Sequence, residues 1–149
     1  MCSAYSLLYG VHMPQKILDR AVSLGVTTVS ICDIDNVYGV HSFLEAAKER
    51  NIRPIVGTTL TINQKTTPHS SLIIPNYLYC FVENRAGFGR LCEILTERNN
   101  VISMLLENSN GLVLASSDAM ILESLAGRVK RLYAAITPHD AELQAAAEN

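Results

Sequence analysis

Two rhythms of apolar residues alternate along this chain. Short β-branched runs give way to stretches in which apolar positions recur every three or four residues, the signatures of strand and amphipathic helix. Residues 2–8 (Cys-Ser-Ala-Tyr-Ser-Leu-Leu) predict a short strand and its exit turn. Pro14 suits a first helical turn, and Ile17, Leu18, Ala21, Val22 and Leu24 mark one helical face that Gly25 ends. Residues 26–32 are short and β-branched, as in a buried strand. Phe43, Leu44, Ala46 and Ala47 give the apolar side of a helix over about 41–50, followed by a strand over 53–62. Residues 63–71 are polar and turn-rich, hence an exposed loop, and 77–82 form the next strand. Phe88, Leu91, Cys92, Ile94 and Leu95 define a third helix. The run 101–106 reads equally as helix or strand. Gly111 precedes a strand at 112–115, Ser117-Asp118 cap a helix over about 119–125 that Gly127 ends, and 130–136 give a further strand. Thr137-Pro138 open a last, alanine-rich helix running to Asn149.

Strands separated by helices of this length imply βαβ units in an α/β fold with a mostly parallel sheet flanked by helices. Right-handed crossovers would gather the strands' carboxyl ends on one rim, where such folds usually place chemistry. The segment Ser30 to Gly39 is the richest candidate for that place, a buried strand end running into a polar turn and then a helix.

Size and composition narrow the class. With 149 residues, 48% hydrophobic and 17% charged, the chain fits one globular domain with a sizeable core. No apolar run approaches the roughly 20 residues of a membrane span, and no secretory pattern opens the sequence, so cytoplasm is expected. The net charge is −2, and the densest basic cluster is Arg128, Lys130 and Arg131. That is too small a footprint for direct nucleic-acid binding. Cys2, Cys32, Cys80 and Cys92 are not spaced as Cys-x-x-Cys and read as free thiols. No nucleophile elbow, dinucleotide fingerprint or phosphate loop occurs. Ser116-Ser117-Asp118 form a helix start whose commonest use is capping. Asp35-Asn36 suit a turn, and Asp33 suits the acceptance of backbone amides at the strand end. His12, His41, His69 and His139 fall in loops or first helical turns, as solvated or capping residues do.

Several of these segments fall in the order of a known family. Tyr5-Ser6-Leu7-Leu8-x-Gly10, the helix from Ile17 to Gly25, Ile31 to Gly39, Phe43 to Gly57, Val82-Glu83-Asn84-x-x-Gly87-Phe88 and Gly111-Leu112-Val113 carry the likeness. Together they resemble the PHP (polymerase and histidinol phosphatase) domain that opens bacterial DNA polymerase III alpha subunits. The likeness covers roughly residues 2–136 in one register. It implies a distorted β/α barrel with a metal cluster at the strand ends. Residues 1–149 would be a single domain holding about the first half to two-thirds of that barrel, with an open sheet edge. The family's ligand positions fall poorly on this chain. The first histidine would precede Met1, the second falls on Cys2, an aspartate on Tyr9, a histidine on Ile34 and a glutamate on Thr59. Only Asp33 survives from these motifs, and the resemblance makes it a neighbour of a ligand instead of a principal one. Cys2, Asp33 and Asp35 are the residual candidates for one ion, and Tyr5, Tyr9 and Tyr38 are candidates to fill the rim in place of metals.

The resemblance therefore implies a degenerate, non-catalytic module of a DNA polymerase III alpha-type protein, in DNA replication or repair. Any nucleotidyl transfer would lie in the parent's other domains. The expected partners are those remaining domains, a proofreading exonuclease, or a second copy meeting the open edge. No metal cofactor is expected. The alternative is a divergent phosphoesterase using zinc or manganese.

Overall fold

The computed structural model describes residues 1–62, 76–98 and 100–136. The expected loop 63–71 and the last helix, with His69 and His139, lie outside the described residues. Ten elements follow one another: α1 (Pro14–Ser23), β1 (Thr28–Ile34), α2 (Val40–Glu49), β2 (Arg53–Ile62), β3 (Asn76–Val82), α3 (Arg85–Glu97), α4 (Val101–Glu107), β4 (Leu112–Ser116), α5 (Ala119–Leu125) and β5 (Leu132–Ala134). The ambiguous run at 101–106 is helical. The strand expected over 130–136 is shorter, at Leu132–Ala134.

Local chemistry explains most boundaries. Pro14 occupies the first turn of α1, where its missing N–H leaves no bond unmade. The chain leaves that helix through Gly25 at φ 69, a left-handed position that glycine adopts without steric penalty. The Asn84 side chain caps α3 by accepting from Gly87 N at 3.0 Å, and Asp118 caps α5 by accepting from Ile121 N at 2.9 Å.

The five strands form one sheet in the order β1-β2-β3-β4-β5. The β1–β2 and β4–β5 pairs are parallel, whereas β3 is antiparallel to both neighbours. Four strands thus share one direction and β3 opposes them, giving a mixed, mostly parallel sheet. This departs from the single rim of carboxyl ends that uniform crossovers would make. Antiparallel neighbours need no crossover helix between them, so β2 and β3 can pair directly. The reversal brings the first residues of β3 to the rim where the other strands end.

The helices cover one face of the sheet. Leu18, Ala21, Val29, Ile31, Phe43, Ala46, Ala47 and Ile52 form a cluster that joins α1 and α2 to β1. Leu60, Leu78, Cys80, Leu91, Ile94, Leu105, Leu114, Ile121 and Leu125 form a larger one under α3, α4 and α5. Each fully buried leucine or isoleucine contributes about 2 kcal/mol through removal of apolar area from water. The α1 face is narrower than its sequence suggests. Leu18 and Ala21 are buried, while Val22 and Leu24 are exposed.

The segment expected as a strand over 2–8 is instead a series of turns. Of the first eight residues, only Met1 makes backbone bonds along β1, donating from its nitrogen to Ser30 O (3.2 Å) and accepting at its carbonyl from Cys32 N (2.8 Å). Ser3, at 0% exposure, and Ser6, at 2%, then turn inward, which draws the backbone out of extended geometry.

Candidate functional site

The rim around Asp33 is built by three pieces: the N-terminal turns, the end of β1, and the start of α2. Asp33 lies deep in the fold, at 2% exposure. A buried carboxylate must be matched by donors or it destabilises the fold by several kcal/mol. Asp33 is so matched. Its Oδ1 accepts from Ser3 N (2.7 Å), Ser3 Oγ (3.0 Å) and Ser6 Oγ (2.7 Å), and its Oδ2 accepts from Ser3 Oγ (2.8 Å). Ser6 Oγ in turn accepts from Ile34 N at 2.9 Å. The Asp33 carbonyl accepts from Thr58 Oγ1 at 2.6 Å, which ties the strand end to β2. A Cβ on Gly39 would sit 3.0 Å from Asp33 Oδ2 and 2.8 Å from the Tyr5 ring, so the start of α2 closes tightly over the carboxylate.

Asp35 serves a separate turn. It takes a left-handed conformation at φ 51, accepts from Thr61 N at its Oδ1 (2.8 Å), and gives its carbonyl to Arg98 Nη2 (2.7 Å). Asn36 completes that turn by donating to Ile34 O (2.8 Å) and Tyr5 O (3.2 Å). Cys2 donates its thiol to Cys32 O at 3.1 Å, on the opposite face of β1 from Asp33. The three residual metal candidates are thus each held by different partners. Among the described residues, no three His, Cys, Asp or Glu side chains gather around one point.

Cys2 and Thr59 line one cavity of about 470 Å3, together with Cys32, Tyr79 and Phe81. Thr59 Oγ1 donates to Cys32 O at 3.4 Å. Burial pushes the Cys32 thiol up, against the smaller opposing effect of its hydrogen bond with Ser30. Burial likewise pushes Cys80 up to about 12. Both groups are therefore held as neutral thiols. Ile34 is half-buried and presents only hydrocarbon.

The tyrosines expected to fill the rim do so unequally. Tyr5 is half-buried against Gly39, but Tyr38 is 74% exposed and plugs nothing. Tyr9 is exposed and shares a 3.3 Å hydrogen bond with Tyr77, the residue that the reversal of β3 brings to this rim. That bond, with a lesser contribution from burial, pushes the Tyr77 phenol up to about 12. Ultraviolet titration of Tyr9→Phe should therefore show one phenol moving back toward the ordinary tyrosine range; an unchanged titration curve would mean that the two hydroxyls do not meet in solution.

Among the described residues, the Ser116 to Asp118 segment and His41 are engaged by local structure. Ser116 Oγ donates to Tyr77 O (2.8 Å) and accepts from Asp118 N (3.1 Å), so the Ser116-Ser117-Asp118 start of α5 caps itself. His41 pairs with Glu45 at 3.5 Å on the exposed side of α2, and the His12 carbonyl accepts from Ala4 N at 2.9 Å. Ser3, Ser6 and Thr58 are the residues that the sequence pattern did not single out. The signal was present: an aspartate inside an apolar strand demands donors, and serines spaced three apart in a polar turn can supply them.

The model of one family, described as PHP domain, matches residues 1–146. The chain belongs to the PHP domain family. An error-prone DNA polymerase from Cutibacterium acnes is 33% identical to this PHP domain over 97 residues, which is 64% of the chain and 8% of that polymerase. The DNA polymerase III subunit alpha of Buchnera aphidicola is 36% identical over 58 residues, covering 39% of the chain and 5% of the subunit. The chain thus spans less than a tenth of the length of these curated relatives. Among solved structures, an amidohydrolase from Chromobacterium violaceum matches 71% of the chain and 33% of its own, with a TM-score of 0.51 and 19% identity. A protein assigned as a metal-dependent phosphoesterase from Bifidobacterium adolescentis matches 64% of the chain and 30% of its own, at a TM-score of 0.50 and 19% identity. These two likenesses support an incomplete barrel of the PHP type for the five-stranded sheet. Among the described residues, no helix is long and apolar enough to cross a membrane.

Proposed function

We propose that this PHP domain is a non-catalytic module of a DNA polymerase III alpha-type protein, serving as scaffold or contact surface in DNA replication or repair. The observation that carries this reading is the state of Asp33. The one acidic residue kept from the family's rim motifs has both oxygens bonded to Ser3 and one also to Ser6. Around it, the family's ligand positions hold a thiol at Cys2, an exposed phenol at Tyr9, hydrocarbon at Ile34 and a hydroxyl at Thr59. Zinc and manganese clusters call for imidazoles and bridging carboxylates, so this donor set does not fit them. The domain contributes a folded rim without a Lewis acid, and any nucleotidyl transfer belongs to other domains of a longer protein. Those domains, or a proofreading exonuclease, are the partners that this reading implies. Free Cys2, Cys32, Cys80 and Cys92 fit a reducing compartment, and the cytoplasm is where such a protein would act.

Calorimetric titration with zinc and manganese, paired with phosphoesterase assays in the same buffers, tests the reading. The expected outcome is no saturable binding and no turnover. Stoichiometric metal uptake with hydrolysis of a small phosphate ester would replace it with the alternative, a divergent phosphoesterase.

A further inference from the structure

Two of the cysteines meet across β1. Met1 N donates to Ser30 O (3.2 Å) and Met1 O accepts from Cys32 N (2.8 Å), which sets Met1 opposite Ile31 in a parallel register. Cys2 then falls opposite Cys32, and Ser3 falls opposite Asp33, whose carboxylate accepts from the Ser3 amide at 2.7 Å. Parallel neighbours hold opposed Cα atoms about 4.8 Å apart, inside the roughly 4.4–6.8 Å that a disulfide spans. Alternation puts Ser3 and Asp33 on one face of β1 and both cysteines on the other. The side chains bear this out. Cys2 Sγ donates to Cys32 O at 3.1 Å, and both residues line the cavity of about 470 Å3 beside Thr59 and Tyr79. Cys2 is half-buried, Cys32 is buried, and both are free thiols. Cys80 belongs instead to the core cluster under α3, α4 and α5, and Cys92 lies on α3.

We propose that Cys2 and Cys32 form a reversible redox latch, in which hydrogen peroxide oxidises the two thiols to a disulfide that ties the N-terminal turns to β1. Cys2 Sγ, the less buried sulfur, attacks a peroxide oxygen. The O–O bond breaks, the thiol proton leaves in a water molecule, and Cys2 becomes a sulfenic acid. Cys32 Sγ then attacks the Cys2 sulfur. The S–OH bond breaks as the S–S bond forms, and the hydroxide leaves with the Cys32 proton as a second water. The two thiols thus give up two electrons and two protons, and the peroxide is reduced to two waters. Burial, which holds Cys32 as a neutral thiol, suits it to this resolving role and slows its own reaction with dissolved oxidant. Closure asks only that Cys2 Sγ leave the Cys32 carbonyl for the neighbouring sulfur. The consequence is mechanical. Ser3, the next residue, and Ser6 hold Asp33, so a bond at Cys2 fixes the turns that close over that carboxylate. In a reducing compartment the pair rests as thiols and closes only under oxidant, as transient disulfides there do. This inference does not rest on the non-catalytic reading of the domain.

The test treats the full chain with stoichiometric hydrogen peroxide, traps the remaining thiols with N-ethylmaleimide in denaturant, and reads intact mass and a peptide map. Two of the four cysteines should escape the maleimide, joined in a Cys2–Cys32 peptide, and dithiothreitol should return all four to it. Cys2→Ser should abolish the link, whereas Cys92→Ser should keep it. Cys32→Ser provides a second loss where circular dichroism shows it folded, and Cys2→Ser alone suffices where it is not. The oxidised chain should melt about 5 °C or more above the reduced one, because the bond closes a loop across 30 positions in the unfolded chain. Cys2→Ser should lose that rise. A peroxide-dependent Cys2–Cys32 link with its rise in melting temperature supports the latch. Four maleimide adducts after peroxide, a link that involves Cys80 or Cys92, a link between two copies, or an unchanged melting temperature overturns it.

Discussion

Asp33→Ala should destabilise the domain by about 3–5 kcal/mol, the range for removing one member of a buried, charge-assisted network. The side chain is 2% exposed and is the shared acceptor for Ser3 N, Ser3 Oγ and Ser6 Oγ. Its loss leaves buried donors without a partner and opens a cavity beneath Gly39. Leaving such groups unsatisfied costs more than the bonds themselves contribute, because each donor has also lost water. Asp33→Asn should be much milder, at about 1 kcal/mol, since its amide oxygen keeps one acceptor and a serine hydroxyl can rotate to accept from the amide. Urea unfolding of both variants checks the contrast. Equal, small losses would show that the N-terminal turns are not held by this carboxylate. A gain of stability in Asp33→Ala would show instead that the charge is retained for another purpose.

The second large effect is steric. Gly87→Ala should cost about 3 kcal/mol, the upper part of the range for forcing atoms into a packed interior. A Cβ at Gly87 would stand 2.0 Å from Gly111 O, which is impossible without moving backbone. Gly111 cannot yield easily. It sits at φ 76, and its carbonyl accepts from Glu83 N at 2.9 Å. The Asn84 cap holds the first turn of α3 against the same spot. Thermal unfolding of Gly87→Ala and of Gly89→Ala provides the comparison, because a Cβ at Gly89 meets nothing within 4 Å. Gly89→Ala should leave the domain unharmed or slightly stabilised, as alanine is the better helix former. Similar losses in both would mean that the close approach between α3 and β4 is not what limits the site.

This glycine pair shows what the sequence could and could not convey. Val82-Glu83-Asn84-x-x-Gly87 and Gly111-Leu112-Val113 were recognisable as separate segments, yet the contact that makes both glycines necessary spans 24 positions and is visible only in three dimensions. Helix positions were legible because Leu91, Ile94, Ile121 and Leu125 repeat at helical spacing and point to one cluster. The reversal of β3 was not, since Tyr-Leu-Tyr-Cys-Phe-Val has the same alternation read in either direction. The turns over 2–8 read as a strand because a short apolar-polar run carries no record of the partner it will meet. At the site, the replaced ligand positions could be listed from the resemblance. That Asp33 would be taken up by serines from the first turns could not, because its partners lie 27 and 30 residues away.

That separation bears on how the domain comes together during synthesis. The first turns leave the ribosome before the aspartate that fixes them exists, and closing a loop of that length is entropically uphill until β1 and α2 can offer a finished pocket. The turns around Ser3 and Ser6, made before Asp33, thus settle only after it, and they seal the structure behind the elements that follow them.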